Sequence, residues 1–293
     1  MKRRTFLTTA SGAFGSLIAS PTANETKPRI YLSLKDGMIG GKGPLEEKYQ
    51  LVKDLGYDGV EFSVPGRSDL AQALAASKKT KLPIHGGVNM RHWQIKMSSP
   101  GEEERAEAVD AMKKSLQEVH QIGGTSVLLV PGVAGGKVTQ KEAWDRSIIE
   151  IKKCLPLASK LGMHILIENV WNGMFYDPKG PNTQSADRLK NYLDEIDSPW
   201  VGSYFDIGNH QRFGKPAEWI KTLGRRIVKL DVKDWGIKSG FSKIGEGDVD
   251  WPAVRKSLND IGYSGWATAE VGGGNKDRLA EVLKNMRTHL LGQ

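Results

Sequence analysis

From about residue 28 onward, short apolar runs alternate with longer segments whose apolar residues recur at helical spacing. This alternation is typical of βα units, in which parallel strands pack against the helices that connect them. The pattern contains eight such units in one uninterrupted series. The predicted strands are Arg29–Leu34, Gly59–Val64, Leu82–Gly86, Ser126–Val130, His164–Glu168, Val201–Asp206, Ile227–Val232 and Trp266–Glu270. The predicted helices lie near residues 45–56, 69–80, 102–122, 141–161, 185–197, 216–224, 251–261 and 276–290.

Glycines stand where three of the predicted helices should end, in the segments before strands two, four and eight. Gly56, Gly123 and Gly262 occupy these places, and glycine adopts the left-handed conformation of a helix C-terminus without strain. Eight units in series favour a closed (β/α)8 TIM barrel, an α/β fold of one domain, over an open doubly wound sheet. No Gly-x-Gly-x-x-Gly follows the first strand, which argues against a dinucleotide-binding fold.

The N-terminal segment has a different pattern from the rest of the chain. Arg3 and Arg4 precede a short small-residue apolar stretch at 10–19, which is typical of a secretory signal. The paired arginines resemble the twin-arginine type. We therefore predict that residues 1–27 are a signal peptide and short linker, that residues 28–293 form the barrel, and that the protein is periplasmic. The apolar stretch is shorter than the ~20 residues of a spanning helix, so we expect no membrane insertion.

The charge of the chain does not indicate a nucleic-acid-binding protein. Its formal charge is +8. Without Lys2, Arg3 and Arg4 of the predicted signal, 39 Lys and Arg remain against 34 Asp and Glu, a net charge of about +5. The remaining basic pairs, such as Lys78–Lys79, lie on predicted helices, where a solvated outer face is ordinary. The single cysteine, Cys154, excludes an internal disulfide and lies in an apolar helical pattern, so we expect a buried structural thiol.

Carboxylates end four successive predicted strands. Glu168, Asp206, Asp231 and Glu270 each terminate an apolar run, in strands five to eight. Because barrel active sites gather at the carboxyl ends of the strands, we expect these side chains in one arc. Ionised carboxylates there are costly unless paired or metal-bound. Four oxygen donors favour one divalent cation, Mn²⁺ or Mg²⁺ before Co²⁺ or Zn²⁺. For any one acid, a helix N-cap or a loop salt bridge is the alternative.

With these motifs the sequence resembles the xylose-isomerase-like TIM-barrel superfamily, the sugar phosphate isomerase/epimerase family. The shared motifs are LGYDGVEF at strand two, IEN at strand five, FDIGNH at strand six, VKLDVKDW at strand seven, GEGDVDW after it, and the strand-eight glutamate. The resemblance covers essentially the whole predicted barrel. It implies one divalent metal held at strands five to eight, with Glu168 and Glu270 as ligands and acid/base pair. The sequence departs from the family at Asp231, which replaces a histidine ligand, and at Asn209, which replaces a second histidine.

Other side chains near the strand ends are candidates for substrate binding. They are His85, His92, Trp93, Trp171, Asn172, Asn209, His210, Lys233, Lys243 and Glu246. His85 is predicted to end strand three, where it could bond a substrate hydroxyl; a histidine satisfied by the backbone is the alternative. Trp93 could supply the flat apolar surface on which a sugar ring stacks. For several of the others an ordinary solvated loop position is the alternative.

These features favour a metal-dependent enzyme that removes a proton next to the carbonyl of a sugar or ketosugar. Returning the proton isomerises or epimerises the substrate, whereas loss of a β-substituent would make a 3-keto-glycoside 1,2-lyase or hydratase. Because sugar phosphates are cytoplasmic, the predicted export implies an unphosphorylated substrate. A non-catalytic sugar-binding protein altered at Asp231 stays open, and the few histidines argue against an endonuclease-like barrel. The expected partner is a small carbohydrate, with a homo-oligomer possible.

Overall fold

Eight parallel strands close into a barrel in the computed structural model, which describes residues 29–293. They are β1 Ile30–Lys35, β2 Gly59–Val64, β3 Ile84–Asn89, β4 Ser126–Leu129, β5 His164–Glu168, β6 Val201–Asp206, β7 Ile227–Val232 and β10 Gly265–Ala269. Each pairs with its neighbours in chain order, and β1 closes the ring against β10. The predicted single-domain (β/α)8 barrel is confirmed. The signal and linker predicted at 1–27 lie outside the described residues.

Helices connect the strands and cover the outside of the barrel. They are α1 Leu45–Leu55, α2 Leu70–Thr80, α3 Glu102–Gln121, α4 Gln140–Lys152, α5 Leu155–Leu161, α6 Asp187–Ile196, α7 Ile207–Gln211, α8 Pro216–Leu223, α9 Trp251–Asp260 and α10 Lys276–Asn285. Helix α1 ends as predicted at Gly56, whose φ of 97° is left-handed and whose N–H donates to the carbonyls of Val52 and Lys53. Among the described residues, none of the helices has the length and apolar character needed to cross a membrane.

A short antiparallel hairpin is inserted between β7 and α9. Strand β8, Asp234–Gly236, pairs with β9, Gly240–Ser242, so that Trp235 faces Phe241 across the ladder. The sequence pattern did not predict this hairpin, because two three-residue strands are too short to show a period. The hairpin stands at the carboxyl end of the barrel, next to the predicted site.

Several predicted strands are shifted by a residue at their ends, and two predicted elements differ more from the observed ones. Strand β3 starts at Ile84 and continues to Asn89, whereas the prediction ended it at Gly86. The apolar side chains stop at two glycines, but the backbone pairing with β2 continues beyond them. Glycine is favoured at position 86 because a Cβ there would collide with the Lys229 amine inside the barrel. The single helix predicted at 141–161 is divided into α4 and α5, and a proline stands in the first turn of α5. A proline in a helix interior would lose a hydrogen bond, so the helix restarts there.

A layer of buried polar groups fills the barrel beneath the carboxyl ends of the strands. The Tyr204 hydroxyl lies 2.7 Å from Thr268 Oγ1 and 3.1 Å from both oxygens of Glu61. The hydrogen-bonded series continues from Thr268 Oγ1 to Ser33 Oγ at 2.9 Å, and from Ser33 Oγ to His85 Nε2 at 2.9 Å. Since each of these five side chains has a hydrogen-bond partner, this layer forms a fixed floor under the strand ends.

Candidate active site

The four strand-end carboxylates converge at the carboxyl end of the barrel. Glu168 and Asp206 are the last residues of β5 and β6, Asp231 is the fifth of β7, and Glu270 directly follows β10. Asp206 and Asp231 are partners in the parallel register of β6 and β7. One carboxylate oxygen from each of the four residues lies within 4.8 Å of the others. The barrel therefore brings together four groups that are far apart in the sequence.

Two lysines lie among these carboxylates. Lys35, the last residue of β1, has its Nζ 2.7 Å from Glu270 Oε1 and 3.0 Å from Asp231 Oδ2. Lys233, one residue beyond β7, has its Nζ 2.8 Å from Asp206 Oδ2 and forms an ion pair with the other oxygen of Glu270. The two ammonium groups thus hold both oxygens of the Glu270 carboxylate.

The environment shifts the pKa values of Glu168 and Glu270 in opposite directions. Burial and the nearby Glu270 carboxylate raise the pKa of Glu168 to about 8, against a smaller effect of the lysines. Burial would also raise the pKa of Glu270, but Lys35 and Lys233 outweigh it and lower that pKa to about 2. Burial raises the pKa of Asp231 well above its ordinary value, although Lys35 acts against this. Two carboxyl groups whose pKa values are driven apart are suited to acid and base roles.

The charge of the centre leaves room for a cation. Glu61 lies beneath the four acids, with Oε2 4.0 Å from Lys35 Nζ, and is fully buried. If every group is ionised, these five carboxylates exceed the three ammonium groups of Lys35, Lys229 and Lys233 by two negative charges. An excess of two charges in a buried site is unfavourable unless protons or a cation balance it.

Three buried carboxylate oxygens in the centre have spare acceptor capacity. Within the described part of the chain, Asp231 Oδ1 accepts no hydrogen bond. Asp206 Oδ2 and Glu270 Oε2 are each paired only with the Lys233 ammonium. Such oxygens, together with the two excess charges of the fully ionised centre, fit one divalent cation with oxygen ligands at roughly 2.0–2.6 Å. This buried acidic cluster can hold a metal ion.

Three other predicted residues lie beside the centre. Asn209 Nδ2 is 3.2 Å from the Asn169 carbonyl and 3.4 Å from Glu168 Oε1, so it supports the loop under Glu168. The Trp171 indole N–H donates to the Asn209 carbonyl at 2.8 Å, which leaves the ring partly exposed. Lys243 lines a cavity of about 520 Å³ together with Glu270, although its Nζ also pairs with Glu281 at 2.6 Å.

The three candidates from strand three and its loop contact other parts of the protein. His85 does not end its strand as predicted: it is the second residue of β3, inside the barrel, with Nδ1 2.6 Å from Lys229 Nζ. His92 is buried, and its Nδ1 accepts a hydrogen bond from the Val130 N–H at 3.1 Å. Trp93 is exposed, and its ring stands perpendicular to that of His92 with the centroids 5.6 Å apart. The contacts of His85 and His92 are thus with the protein itself.

Asn172, His210 and Glu246 have their own structural surroundings. Asn172 Nδ2 donates to the Gly132 carbonyl at 2.6 Å and ties two loops together. His210 is fully buried, with its ring 3.9 Å from that of Trp219. Glu246 is exposed in the loop after β9. Hydrogen bonding and packing within the protein account for the first two.

Lys35 and Glu61 are two site residues that the sequence analysis did not identify. Lys35 ends an apolar run, which is the same signal that identified the four acids, but the predicted strand stopped one residue earlier. Glu61 lies in the middle of β2 between apolar neighbours, and a charged residue there must face either solvent or the barrel interior. Both signals can be read from neighbouring residues. The contact of Lys35 with Asp231 and Glu270, in contrast, depends on closure of β1 against β10.

Comparison with known proteins agrees with this architecture. L-ribulose-5-phosphate 3-epimerase UlaE of Escherichia coli is 27% identical over 260 residues, which cover 81% of this chain and 86% of that protein. An uncharacterised protein of Methanocaldococcus jannaschii is 31% identical over 133 residues, and the match spans only 44% of its length.

Solved structures share the fold at low identity. The 3-keto-D-glucoside 4-epimerase YcjR of Escherichia coli superposes with a TM-score of 0.71 at 16% identity, covering 89% of this chain and 100% of that one. The IOLI protein with a bound zinc atom has a TM-score of 0.74 at 15% identity, covering 89% and 98%. Residues 49–289 match the model of the xylose isomerase-like TIM barrels. With most of its length in that match and a closed eight-stranded barrel, this chain belongs to the xylose isomerase-like TIM-barrel family.

Proposed function

We propose that this chain is an epimerase or isomerase that removes and returns a proton next to the carbonyl of an unphosphorylated sugar. The observation that carries the proposal is the pair Glu168 and Glu270, two glutamates with opposite pKa shifts in one centre beside a cavity. The similarity to UlaE, which is named as a sugar phosphate 3-epimerase, and to YcjR, named as a keto-glucoside epimerase, supports the reaction class.

The difference in exposure between Glu270 and Glu168 suggests which of them removes the proton and which returns it. The Glu270 side chain is 32% exposed and lines the cavity, so it can reach a substrate and take a proton. Glu168 is buried behind it and would hold or return a proton from within the centre. Lys35 and Lys233 fix the orientation of Glu270, and Lys233 would also stabilise negative charge that develops on a carbonyl oxygen.

We infer that Glu168, Asp206, Asp231 and Glu270 would hold one divalent cation. Their oxygen donors suit Mn²⁺ or Mg²⁺ better than a soft metal. When bound, such a cation supplies Lewis-acid stabilisation of the charge that forms on the substrate oxygens. Asp231 as a fourth carboxylate keeps an oxygen donor at this place.

The proposal is tested by following proton exchange in D₂O. Purified protein is incubated with a panel of unphosphorylated ketoses, such as D-fructose, L-ribulose and D-allulose, and of 3-keto-glycosides, and the products are read by NMR. We expect an isomer or epimer of unchanged carbon skeleton, with deuterium at the carbon next to the carbonyl. Absence of exchange and of product on every ketose and 3-keto-glycoside of the panel would overturn the proposal.

Elimination from a 3-keto-glycoside, the 1,2-lyase or hydratase reaction, is the second candidate. It begins with the same proton removal, and the fold similarity to YcjR favours a 3-keto-sugar as substrate. Product analysis separates the two reactions, because elimination releases the aglycone whereas epimerisation leaves the mass unchanged.

We also propose that the protein acts outside the cytoplasm. The supporting observation is the arginine pair and the small-residue apolar stretch within residues 1–27. An exported enzyme would not meet cytoplasmic sugar phosphates, which is why the proposed substrate carries no phosphate.

A further inference from the structure

An exposed aromatic pair stands beside the carboxylate centre. Phe241, in β9, is 55% exposed and stacks on Trp171, with ring centroids 5.1 Å apart and 14° between the planes. Trp171 lies three residues after Glu168 and is held by its hydrogen bond to the Asn209 carbonyl. Water contact with so much aromatic surface is unfavourable, and large exposed apolar groups next to a polar centre are typical of ligand-binding sites.

The hairpin that carries Phe241 is held in a fixed position. Asp234 at its base is fully buried, and its carboxylate accepts hydrogen bonds from the Gly245 N–H at 2.8 Å and the Trp251 indole N–H at 2.9 Å. It also accepts from the Trp235 N–H at 2.9 Å. A carboxylate with several donors fixes the loops that supply them. Phe241 is therefore presented by a rigid support.

The cavity next to Phe241 lies beside the four acids and not over them. Its lining in the described structure includes Phe241, Ser242, Lys243, Lys233 and Glu270, and of the four acids Glu270 alone contributes to it. The Lys233 ammonium, which pairs with Glu270, is 5.5 Å from the Phe241 ring centroid. The cavity volume of about 520 Å³ falls within the range of roughly 300–1,000 Å³ that is usual for sites of drug-sized ligands.

We propose that this cavity is a subsite for a second ring, joined to the sugar that reacts at Glu270 and stacked on Phe241. The proposal rests on the proposed function and narrows its substrate to a glycoside or disaccharide. An aromatic face backed by Trp171 suits a flat ring, whether the CH face of a sugar or an aryl group. Ser242 and Lys243 supply polar groups at its edge, as a hydroxylated ring requires.

Equilibrium binding tests the subsite without any reaction. Methyl β-D-glucoside, cellobiose and phenyl β-D-glucoside are titrated into the full-length protein, and the Kd is measured by calorimetry and by Trp fluorescence. None of the three carries a ring ketone, so none is a substrate for proton removal. We expect the best two-ring ligand to bind about 10-fold more tightly than methyl glucoside. Tighter binding of cellobiose identifies a second sugar as the occupant; tighter binding of the phenyl glucoside identifies an aryl group.

Variants of the hairpin provide the controls. Phe241→Ala should abolish the 10-fold preference and leave the Kd of methyl glucoside unchanged, whereas Phe241→Tyr should retain the preference. Ile237→Ala is the matched control, since Ile237 is 71% exposed on the same hairpin but does not line the cavity. Equal affinity for one-ring and two-ring ligands, or an equal loss in Ile237→Ala, would overturn the subsite. A failure of the proposed function would appear separately, as absent exchange in D₂O.

Discussion

Lys35 and Asp231 form a buried ion pair between the first and seventh strands, with 3.0 Å between Lys35 Nζ and Asp231 Oδ2. Asp231 is fully buried and occupies the place where the resemblance predicted a neutral histidine, so it adds a negative charge to the centre. Lys35 supplies the opposite charge to the same oxygen atom. The pair therefore keeps the net charge of the centre near that of a site with a neutral donor.

The first prediction is that Lys35 and Asp231 are coupled in metal binding. Lys35→Met should tighten the binding of Mn²⁺, because it removes a cation beside the donors, and should destabilise the metal-free protein by about 3–5 kcal/mol, the usual cost of breaking a buried pair. Asp231→His alone should weaken Mn²⁺ binding, since Lys35 then lacks its partner. The double variant should bind Mn²⁺ close to the wild-type level. Calorimetric Kd values and melting temperatures of the wild type, the two single variants and the double variant complete a double-mutant cycle. If the effects of the two substitutions simply added, the two residues would not be coupled.

The second prediction is that the purified protein contains close to one divalent ion per chain. Because a cation bound only to the native state stabilises it, chelation should lower the melting temperature. Asp206→Asn should lower the metal content in the same way. Glu246→Gln, at an exposed position, serves as the control and should leave the metal content unchanged. Full activity in a metal-free preparation would exclude the metal from the mechanism.

The third prediction is that Glu270→Gln lowers the turnover rate by roughly 10²–10⁴-fold, because it removes the proton acceptor and keeps the shape of the side chain. Glu168→Gln should be similarly severe if the two groups act as a pair. The measurement is the rate of product formation and of deuterium incorporation on the same substrate. Near wild-type turnover in Glu270→Gln would show that this residue is not the base.

The fourth prediction concerns the stability of the protein in acid. Burial, with a smaller contribution from Lys35 and against the effect of Glu270, lowers the pKa of His92 to about 3. This pKa lies below the value of about 6.5 that His92 has in the unfolded chain. Below pH 6.5 the unfolded chain therefore binds a proton that the folded protein does not, so the free energy of unfolding falls as the pH decreases from 6.5 towards 3. At pH 5 the loss should be about 2 kcal/mol.

His92→Gln, which can still accept the Val130 N–H bond, should remove that part of the pH dependence. The measurement is urea unfolding of wild-type and variant protein at pH 5 and pH 7. His120→Gln, at an exposed position on α3, is the matched control and should unfold with the wild-type pH dependence. If His92→Gln retains the full loss of stability at pH 5, His92 is not its source.

The fifth prediction concerns export. Replacing Arg3 and Arg4 with lysine should leave the protein uncleaved in the cytoplasm, because the twin-arginine route depends on the arginine pair. Cell fractionation and the mass of the N-terminal segment provide the readout, with Lys42→Arg as a control outside the segment. Processed protein in the periplasm of the double variant would contradict the assignment.

Local patterns along the sequence determined the order of the strands and helices and the four acids of the site. Each apolar run that ends in a carboxylate is visible within a few residues, and parallel strands of a barrel place their ends on one face. The alternation of side chains along a strand places Asp231 and Lys233 on the same side, as their contacts show. These features depend only on neighbouring residues, so a single sequence contains them.

Tertiary structure alone decided which other groups join the centre. Lys35 meets Asp231 because closure of the barrel brings β1 beside β10 and across from β7, although the two residues are 196 positions apart in the chain. His85 lies below the strand end because the pairing of β3 continues to Asn89 through two glycines, which have no side chains to reveal it. Phe241 lines the cavity on a hairpin that Asp234 holds by accepting hydrogen bonds from Gly245 and Trp251, which follow the hairpin in the chain. Contacts of these kinds form only in the folded chain, and no local pattern of side chains specifies them.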